Sequence, residues 1–265
     1  MNEKNSEMKI VKNLSAISHE MRTPLNLIAA TATLINMKMD NDVLNNDDLK
    51  EYIKNILTNC NKAAMLVENI LETSLVTVSK FEYANTRQFF ETFCKNVEPY
   101  CNESGTKLKT EFYVEKEYMH FPVDTTERIL LNLITNAIKY NDKKTKKITV
   151  KMSEEGNNII FSVKDNGMGI AKENIEKVAE PFFRVDSNLP NGVGLGLNLV
   201  KEYLDSMNGT MKIKSQIKKG TEVIISIPVT PEDEIYTSGE SDYIYHPEKT
   251  KFIMEFAQLK KTKDI

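Results

Sequence analysis

The chain has 265 residues, of which 40% are hydrophobic, enough to bury the core of one large domain or two modest ones. Its 35 lysines and arginines against 38 aspartates and glutamates leave a net charge of -3, so no general basic field is available to hold nucleic acid or an anionic membrane. No apolar run approaches the length of about eighteen residues that a membrane span needs, and charges interrupt the N-terminal segment, so neither a signal peptide nor membrane contact is expected.

The first predicted element is a long amphipathic helix. Its apolar residues recur in steps of three and four and share one stripe: Ile10, Leu14, Ile17, Met21, Leu25, Ile28, Ala32 and Ile35. Pro24 lies inside this pattern and removes one backbone donor, so a bend is expected there. The stretch 40–48, rich in Asn and Asp, then predicts a turn and the N-cap of the next helix.

A second helix with the same spacing follows. Its stripe keeps the three-four alternation throughout: Leu49, Ile53, Ile56, Cys60, Ala63, Val67, Ile70 and Ser74. Two such helices joined by a short turn predict an antiparallel hairpin over residues 1–78. This stripe is widened by Leu57, Ala64, Leu66 and Leu71. Because one hairpin cannot cover so broad an apolar stripe, we expect two hairpins to pair as the four-helix bundle of a homodimer.

Beyond residue 78 the spacing changes and helices alternate with strands. Helices are predicted over 89–101, 126–140 and 194–207, and strands over 147–152, 159–165, 210–215 and 221–228, with a hairpin turn at 154–158. This alternation predicts an α/β sandwich over residues 79–229, and hence an α+β chain of two domains. Residues 230–265 read as an acidic, tyrosine-rich C-terminal extension that ends in a short amphipathic helix over 249–259.

His19 is the first candidate for chemistry. It lies about 200° around the helix from Ile17, at about 100° per residue, so its imidazole is expected to face solvent. A neutral imidazole is nucleophilic near pH 7, and Glu20 beside it can hold or accept a ring proton. Thr23 shares this face one turn further on. Taken alone, the position favours a plain surface histidine of a coiled coil.

Two asparagines form the second candidate. Asn132 and Asn136 are spaced i, i+4 on the predicted helix 126–140 and share one face, with Lys139 and Tyr140 near the helix end. Amide oxygens and an ammonium suit Mg²⁺ together with phosphate, because magnesium prefers oxygen ligands and needs few from the protein when phosphates supply others. On an isolated helix, however, such residues are more often a solvated polar face.

Two glycine-rich loops complete the pattern. Asp165, Gly167 and Gly169 follow a predicted strand, where a carboxylate can accept a hydrogen bond from an adenine amino group, although a hairpin turn explains this spacing equally well. Gly192, Gly194 and Gly196 lead into a helix whose free N–H groups can bind phosphate. No GK[ST] and no HRD or DFG set is present, which excludes a P-loop and the protein-kinase fold.

Five motifs along the chain resemble those of two-component sensor histidine kinases, and they occur in the order typical of that family. The H box corresponds to SHEMRTPL at 18–25, the N box to NLITNAIKY at 132–140, and the G1 box to DNGMG at 165–169. An F-box-like PFFRVD at 181–186 and a G2 box, GVGLGL at 192–197, follow, and Gly220 and Thr221 match the last glycine box. The resemblance implies an ATP-binding domain of the Bergerat type, shared with Hsp90, MutL and type II topoisomerases.

The same resemblance implies roles for single residues. His19 would be the phospho-acceptor, Glu20 its acid-base partner and Thr23 the residue that positions water for dephosphorylation of a partner. Asn136 would bind Mg²⁺, and Arg184 would stabilise the transferring phosphoryl group. The ATP site would contain the remaining motif residues: Asn132, Lys139, Tyr140, Asp165, Gly167, Gly169, Gly192, Gly194, Gly196 and Thr221.

The resemblance also implies a function. A homodimer would phosphorylate itself on His19 from Mg·ATP and pass the group to an aspartate on the receiver domain of a response regulator. Only eighteen residues precede His19, so we expect one of two arrangements. The chain is a catalytic core excised from a larger kinase, which would then be attached to a membrane sensor, or it is a kinase whose input comes from another protein. The odd number of cysteines, without a CxxC pair, favours a reducing, cytoplasmic compartment.

Two alternatives stay open. Ala179 stands where the F box usually has phenylalanine, and residues 187–191 are shorter than the usual ATP lid, both of which favour a nucleotide-binding scaffold that no longer transfers phosphate. An ATP-driven chaperone or repair ATPase would share the fold. The H box on a dimerising helix argues against that second alternative.

Overall fold

The protein is described from a computed structural model that covers residues 2–41, 43–74, 78–183 and 194–229. Within the two N-terminal helices, the side chains of residues 2–17, 19, 20, 65 and 68–74 lie outside this description. Several predictions therefore fall outside the described residues: the loop positions Arg184 and Gly192, the short lid at 187–191, and the helix at 249–259. The chain divides into two compact units, with the boundary between residues 74 and 75.

The first unit is a helical hairpin. Helix α1 spans Asn2–Asp40 and helix α2 spans Asn46–Ser74. The side chain of Asn45 accepts a hydrogen bond of 2.8 Å from the backbone N–H of Asp48, which satisfies a donor at the start of α2. Lys38 near the end of α1 forms an ion pair of 2.6 Å with Asp48, so the two helices are tied together at the turn. The predicted hairpin is confirmed.

The contact between α1 and α2 uses only part of the predicted stripe. Pro24, Asn59 and Leu66 are buried, whereas Leu25 and Val67, which belong to the predicted stripe, are 51% and 42% exposed. The apolar stripe is thus wider than the contact between the two helices. Positions one residue beyond that contact remain uncovered within the hairpin.

The second unit contains a five-stranded sheet in the order β2-β4-β5-β7-β6. Its strands are β2 Thr106–Tyr113, β4 Lys146–Glu155, β5 Asn158–Asp165, β6 Thr210–Gln216 and β7 Gly220–Pro228. Strands β2 and β4 run parallel, and the other neighbours are antiparallel. Two short strands, β1 Glu82–Asn85 and β3 Tyr118–Phe121, pair separately.

Three helices pack on one side of this sheet: α3 Thr86–Glu103, α4 Val123–Lys139 and α5 Gly196–Ser206. A short 3₁₀ turn, Lys172–Asn174, follows the loop after β5. The sheet residues that face the helices are fully buried, as Ile148, Phe161 and Ile225 illustrate, and the ring of Phe161 lies 6.2 Å from that of Phe89 on α3. This layer of buried side chains holds the ends of α4, α5 and β5 in place.

The three predicted helices of this unit and strands β4, β5, β6 and β7 are confirmed within three residues at each end. Strands β1, β2 and β3 were missed. Strands β1 and β3 have four residues each, and β2 is an edge strand whose outward positions carry Lys107, Lys109 and Glu111, so the apolar alternation is weak. Among the described helices, none combines the length and the apolar character needed to cross a bilayer.

Candidate active site

The two candidate asparagines lie beside the start of helix α5. A β-carbon added at Gly196, the first residue of α5, would sit 3.4 Å from both Asn132 Oδ1 and Asn136 Nδ2. The Asn132 amide is oriented by its own donation to the carbonyl of Arg128 at 3.1 Å. Larger side chains at 196 would occupy the space between α4 and α5, so glycine keeps both amides accessible to the helix end.

The N-terminus of α5 offers donors to an anion. Leu195 precedes the helix, and its side chain makes no capping hydrogen bond to the first turn. The first N–H groups of a helix have no partner within it, and the helix dipole adds partial positive charge there. Two amide side chains beside uncapped N–H groups make a surface suited to phosphate oxygens.

Helix α4 ends at the next candidates. Lys139 Nζ lies 4.8 Å from the centroid of the Tyr140 ring, a cation–π contact. The Tyr140 carbonyl accepts a hydrogen bond of 3.1 Å from the N–H of Met168. The loop after β5 is therefore attached to the end of the helix that carries both asparagines.

Asp165 ends strand β5 at this loop. Its Oδ1 accepts hydrogen bonds from the N–H groups of Gly167, at 2.7 Å, and Thr221, at 3.3 Å. Burial raises the pKa of Asp165, and the hydrogen bonds from Gly167 and Thr221 oppose that rise. Both of these bonds go to Oδ1, so the carboxylate is oriented by the backbone around it.

Two glycines of this loop meet neighbouring backbone closely. A β-carbon at Gly167 would lie 2.5 Å from the Tyr140 carbonyl oxygen. Gly169 has φ +69, and its β-carbon would lie 2.1 Å from the carbonyl of Gln216. Any larger residue would push the loop away from α4 or from the turn between β6 and β7.

Thr221 belongs to a polar cluster that includes Ser215, a residue the sequence reasoning missed. Ser215 Oγ accepts a hydrogen bond of 2.7 Å from the N–H of Ile170 and lies 2.8 Å from Thr221 Oγ1. Ser215 is the cross-strand partner of Thr221. The only available signal was a polar residue at a strand end opposite a motif residue, which is weak without knowledge of the pairing.

Asn141 and Asn166 were also missed. Asn141 is buried and donates to Asn166 Oδ1 at 2.9 Å, and the same oxygen accepts from the N–H of Lys147 at 2.8 Å. Asn166 Nδ2 in turn donates to the carbonyl of Thr145 at 3.0 Å. The pair fixes the segment after α4 against the loop that follows Asp165.

The F-box region lies against α5. The N–H of Phe182 donates to the carbonyl of Gly194 at 3.0 Å, so the residues that flank 184–193 meet. Asn198 on α5 is buried and donates to the carbonyl of Ala179 at 3.4 Å, while its Oδ1 has no partner among the described residues. A polar side chain from α5 thus contacts the position where the family has phenylalanine.

On the hairpin, the backbone at His19 and Glu20 is helical, and their side chains lie outside the described residues. Ser18 and Thr23, on either side of them, are exposed. The solvent exposure expected for His19 stays a prediction.

A magnesium ion fits the asparagine surface in its ligand chemistry. Among the described residues, no group of three or more His, Cys, Asp or Glu side chains is placed to hold a metal. The amide oxygens of Asn132 and Asn136 lie 3.4 and 3.8 Å from a β-carbon added at Gly196. Mg²⁺ accepts one or two protein oxygens when phosphates and water supply the rest, so an acidic cluster is not required.

Two family descriptions match the chain. Residues 123–231 match the "Histidine kinase-, DNA gyrase B-, and HSP90-like ATPase" family, and residues 11–76 match the "His Kinase A (phospho-acceptor) domain". These two matches follow one another along the chain, as the motif order predicts.

Named proteins resemble the same region. The non-motile and phage-resistance protein of Caulobacter vibrioides is 30% identical over 238 residues, which cover 84% of this chain and 28% of that protein. The sensor protein SrrB of Staphylococcus aureus is 27% identical over 233 residues, covering 86% of this chain and 39% of that protein. The chain therefore spans less than half the length of these relatives.

A solved structure shares the fold. The histidine kinase ThkA, in complex with the response regulator protein TrrA, superposes with a TM-score of 0.67 at 24% identity, covering 87% of this chain and 65% of that chain. Together with the family matches, this likeness confirms the α+β class of helical hairpin and α/β sandwich.

Proposed function

Because the chain belongs to the two-component histidine kinases, we propose that it phosphorylates His19 from ATP and then transfers the phosphoryl group to an aspartate on a response regulator. The observation that carries this proposal is the placement of Asn132 and Asn136 against the N-terminus of α5, where Leu195 makes no capping hydrogen bond. The Asp165 loop is attached to the same helix at Tyr140. One surface of the α/β domain can therefore bind both ends of a nucleotide.

In this proposal the adenine lies against Asp165. The Asp165 carboxylate accepts a hydrogen bond from the adenine amino group. Two backbone N–H groups already bind Oδ1 and fix the direction of the carboxylate. Tyr140 lines the base, and Gly167 and Gly169 let the loop lie close to it. The hydroxyl of Thr221 lies 2.8 Å from Ser215 Oγ and keeps the ends of β6 and β7 together.

The phosphates lie at the start of α5. Its N–H groups, the amide of Asn132 and the ammonium of Lys139 bind phosphate oxygens, and Gly194 and Gly196 keep the approach open. Asn136 holds Mg²⁺ through its amide oxygen. When bound, the metal supplies charge neutralisation for the phosphates. By their motifs, Gly192 is assigned to the nucleotide site and Arg184 to stabilising charge on the transferring group.

His19 is the proposed nucleophile. A ring nitrogen attacks the γ-phosphorus, the bond to the bridging oxygen breaks and ADP leaves, while Glu20 holds the proton on the other ring nitrogen. Thr23, exposed one turn away, is positioned to orient water when the phosphorylated regulator is bound, which would provide phosphatase activity.

The exposed half of the hairpin stripe supports a homodimer. Ile53 and Leu57 on α2 and Leu25 on α1 are 46%, 58% and 51% exposed, although they belong to a broad apolar surface. A second hairpin would bury the exposed half of these side chains in a four-helix bundle, each contributing about 0.8–1.5 kcal/mol.

The partner in the second step is a receiver domain. ThkA, which shares the fold, was solved in complex with a response regulator protein. The phosphoryl group on a histidine transfers readily to a carboxylate, so an aspartate is the expected acceptor.

Incubation with γ-labelled ATP and Mg²⁺, followed by addition of purified receiver domains from the source organism, tests the proposal. We expect an acid-labile label on this chain that moves within minutes to one receiver domain. Nucleotide binding without any label on the chain would instead favour the scaffold. Ala179, at the position where the F box usually has phenylalanine, supports that second function.

A further inference from the structure

The side of the five-stranded sheet that faces away from the helices is rich in lysine. Cross-strand pairing places Lys109, Lys164 and Lys214 in one row, and Lys151 and Lys212 in the next row, each row crossing all five strands. Four of these five side chains are exposed, and Lys151 is half-buried. We call these five residues the lysine face.

Two acidic residues share these rows. Glu111 forms an ion pair of 2.7 Å with Lys109, and Glu222 accepts a hydrogen bond of 3.0 Å from Ser162. The pKa of Glu111 is lowered, chiefly by the hydrogen bond from Lys109, with the charges of Lys109, Lys151 and Lys164 adding to it. Five lysines against two glutamates give this side of the sheet a net positive charge, although the whole chain carries -3.

The positive area continues beyond the two rows. Lys107 on β2 lies opposite Lys147 on β4, on the same side of the sheet, and both are exposed. Like charges directly opposite one another on neighbouring strands are destabilising. An anion bound across them would relieve that repulsion.

The lysine face also contains apolar and aromatic side chains. Tyr113 is 60% exposed, and Lys151 Nζ lies 4.7 Å from the centroid of its ring. Ile160 and Ile224 are half-buried on the same side, in the neighbouring strands β5 and β7. A ligand for this surface therefore combines negative charge with apolar groups.

The C-terminal extension has that composition. Residues 230–248 contain no lysine or arginine, and they include Ile235, Tyr236, Tyr243, Ile244 and Tyr245. The acidic residues of this segment are Glu232, Asp233, Glu234, Glu240, Asp242 and Glu248. Its charge and its aromatic content complement those of the sheet surface.

We propose that residues 230–248 bind across the lysine face of their own α/β domain, with their carboxylates on the lysines and their tyrosines near Tyr113 and Ile224. The segment starts beside this surface, because β7 ends at Pro228 between β5 and β6. A chain spans about 3.3–3.6 Å per residue. The sheet is five strands wide at about 4.8 Å per strand, so the segment is long enough to cross it.

Lysine acylation on the full chain tests this docking. A tail variant replaces the six acidic residues of 230–248 with their amides, by Glu→Gln and Asp→Asn, and the described fold is left unchanged. In about 0.05 M salt we expect the lysine-face residues to react about two-fold or more slowly in the wild type than in the tail variant. A segment that is bound half of the time leaves the ammonium groups accessible to the reagent for only the other half. In about 1 M salt the difference should disappear, because charges are screened beyond about 3 Å.

Exposed lysines elsewhere on the domain are the internal controls. Lys116, Lys172 and Lys201 should react equally in the two proteins. Equal labelling of the lysine face in wild type and tail variant would overturn the proposal. Carbodiimide cross-links between the lysine face and the tail of a second copy, detected in a mixture of isotope-labelled and unlabelled protein, would also overturn it. The same holds if the wild type binds phosphatidylserine vesicles through the lysine face.

Discussion

The backbone N–H of Met168 donates a hydrogen bond of 3.1 Å to the carbonyl oxygen of Tyr140. This bond joins the loop after Asp165 to the end of the helix that carries Asn132 and Asn136. A change in the loop therefore alters the position of the adenine contact relative to the phosphate contacts. The glycine beside this bond provides a direct test.

Replacement of Gly167 by alanine puts a methyl group 2.5 Å from the Tyr140 carbonyl oxygen, well inside van der Waals contact. We expect the loop to shift, the free energy of unfolding to fall by about 1–3 kcal/mol, and the affinity for ATP to weaken. Chemical denaturation and titration with a fluorescent ATP analogue measure the two effects.

The matched control is Gly156→Ala in the turn between β4 and β5. Gly156 has φ +58, and nothing lies within 4 Å of its added β-carbon. This variant should lose about 1 kcal/mol through backbone strain alone and keep its nucleotide affinity. Equal nucleotide affinity in both variants would show that the contact between Gly167 and Tyr140 does not shape the site.

Asp165→Asn tests the adenine contact. The amide oxygen can still accept from the N–H of Gly167, but a neutral amide is a poorer acceptor for the adenine amino group. Loss of a hydrogen bond to a charged group costs about 1.5–3 kcal/mol, so ATP affinity should fall about 10- to 100-fold and the preference for ATP over GTP should relax. Asp142→Asn, an exposed carboxylate after α4, is the control. An unchanged ratio of ATP to GTP affinity would remove the role given to Asp165.

The same carboxylate predicts a pH dependence. Burial raises the pKa of Asp165 in the folded protein, so the ionised form is lost at a higher pH than for an ordinary aspartate. ATP affinity should therefore decline as the pH falls towards that raised pKa. The free energy of unfolding depends on pH in the opposite direction. The stabilising contribution of Asp165 is present below its pKa in the unfolded chain and is lost as the pH rises through its pKa in the folded protein. Without nucleotide, Asp165→Asn should consequently be no less stable than the wild type at neutral pH.

Each motif combines a residue type with a fixed spacing, so the sequence alone predicts which of its residues can lie together. Asn132 and Asn136 share a helix face by arithmetic alone, and the structure places both beside Gly196. Ser215 could not be predicted, because its contact with Thr221 depends on the pairing of β6 with β7. Cross-strand partners follow from register, and a polar residue at a strand end does not by itself specify which residue lies opposite it.

The hairpin shows a different limit. Periodicity predicted both helices and the half-buried positions Ile28, Ile35 and Ile56, whereas Leu25, Ile53 and Val67 of the same stripe are exposed. A broad stripe contains two neighbouring contact lines, and apolar spacing does not say which one is used within the chain. The unused line is the one expected to meet a second copy.

Ile53→Glu tests that second contact. Ile53 is 46% exposed, so the hairpin itself should fold, whereas a carboxylate buried against a second hairpin lacks a partner. We expect a predominantly dimeric wild type and a predominantly monomeric variant by sedimentation at about micromolar protein, because an unpaired buried charge costs several kcal/mol. Ile217→Glu changes another exposed isoleucine, 57% exposed on the α/β domain, and should remain dimeric. A dimeric Ile53→Glu protein would place the interface elsewhere.

Asn136→Ala tests metal ligation. The side chain lies beside Gly196 rather than in the core, so the variant should fold and dimerise normally. ATP affinity measured with Mg²⁺ should fall about tenfold or more, while affinity measured in a chelator should change little, since the lost oxygen acts through the metal. Asn102→Ala, at an exposed asparagine near the end of α3, is the control. Equal losses with and without Mg²⁺ would assign Asn136 to direct phosphate binding.

The site of phosphorylation tests the account most directly. Wild type, His19→Gln and His246→Gln are incubated with γ-labelled ATP and Mg²⁺, and the phosphorylated residue is located by mass spectrometry at neutral to alkaline pH. We predict an acid-labile phosphoryl group on His19 in the wild type and in His246→Gln, and none in His19→Gln. Label that persists in His19→Gln would contradict the account.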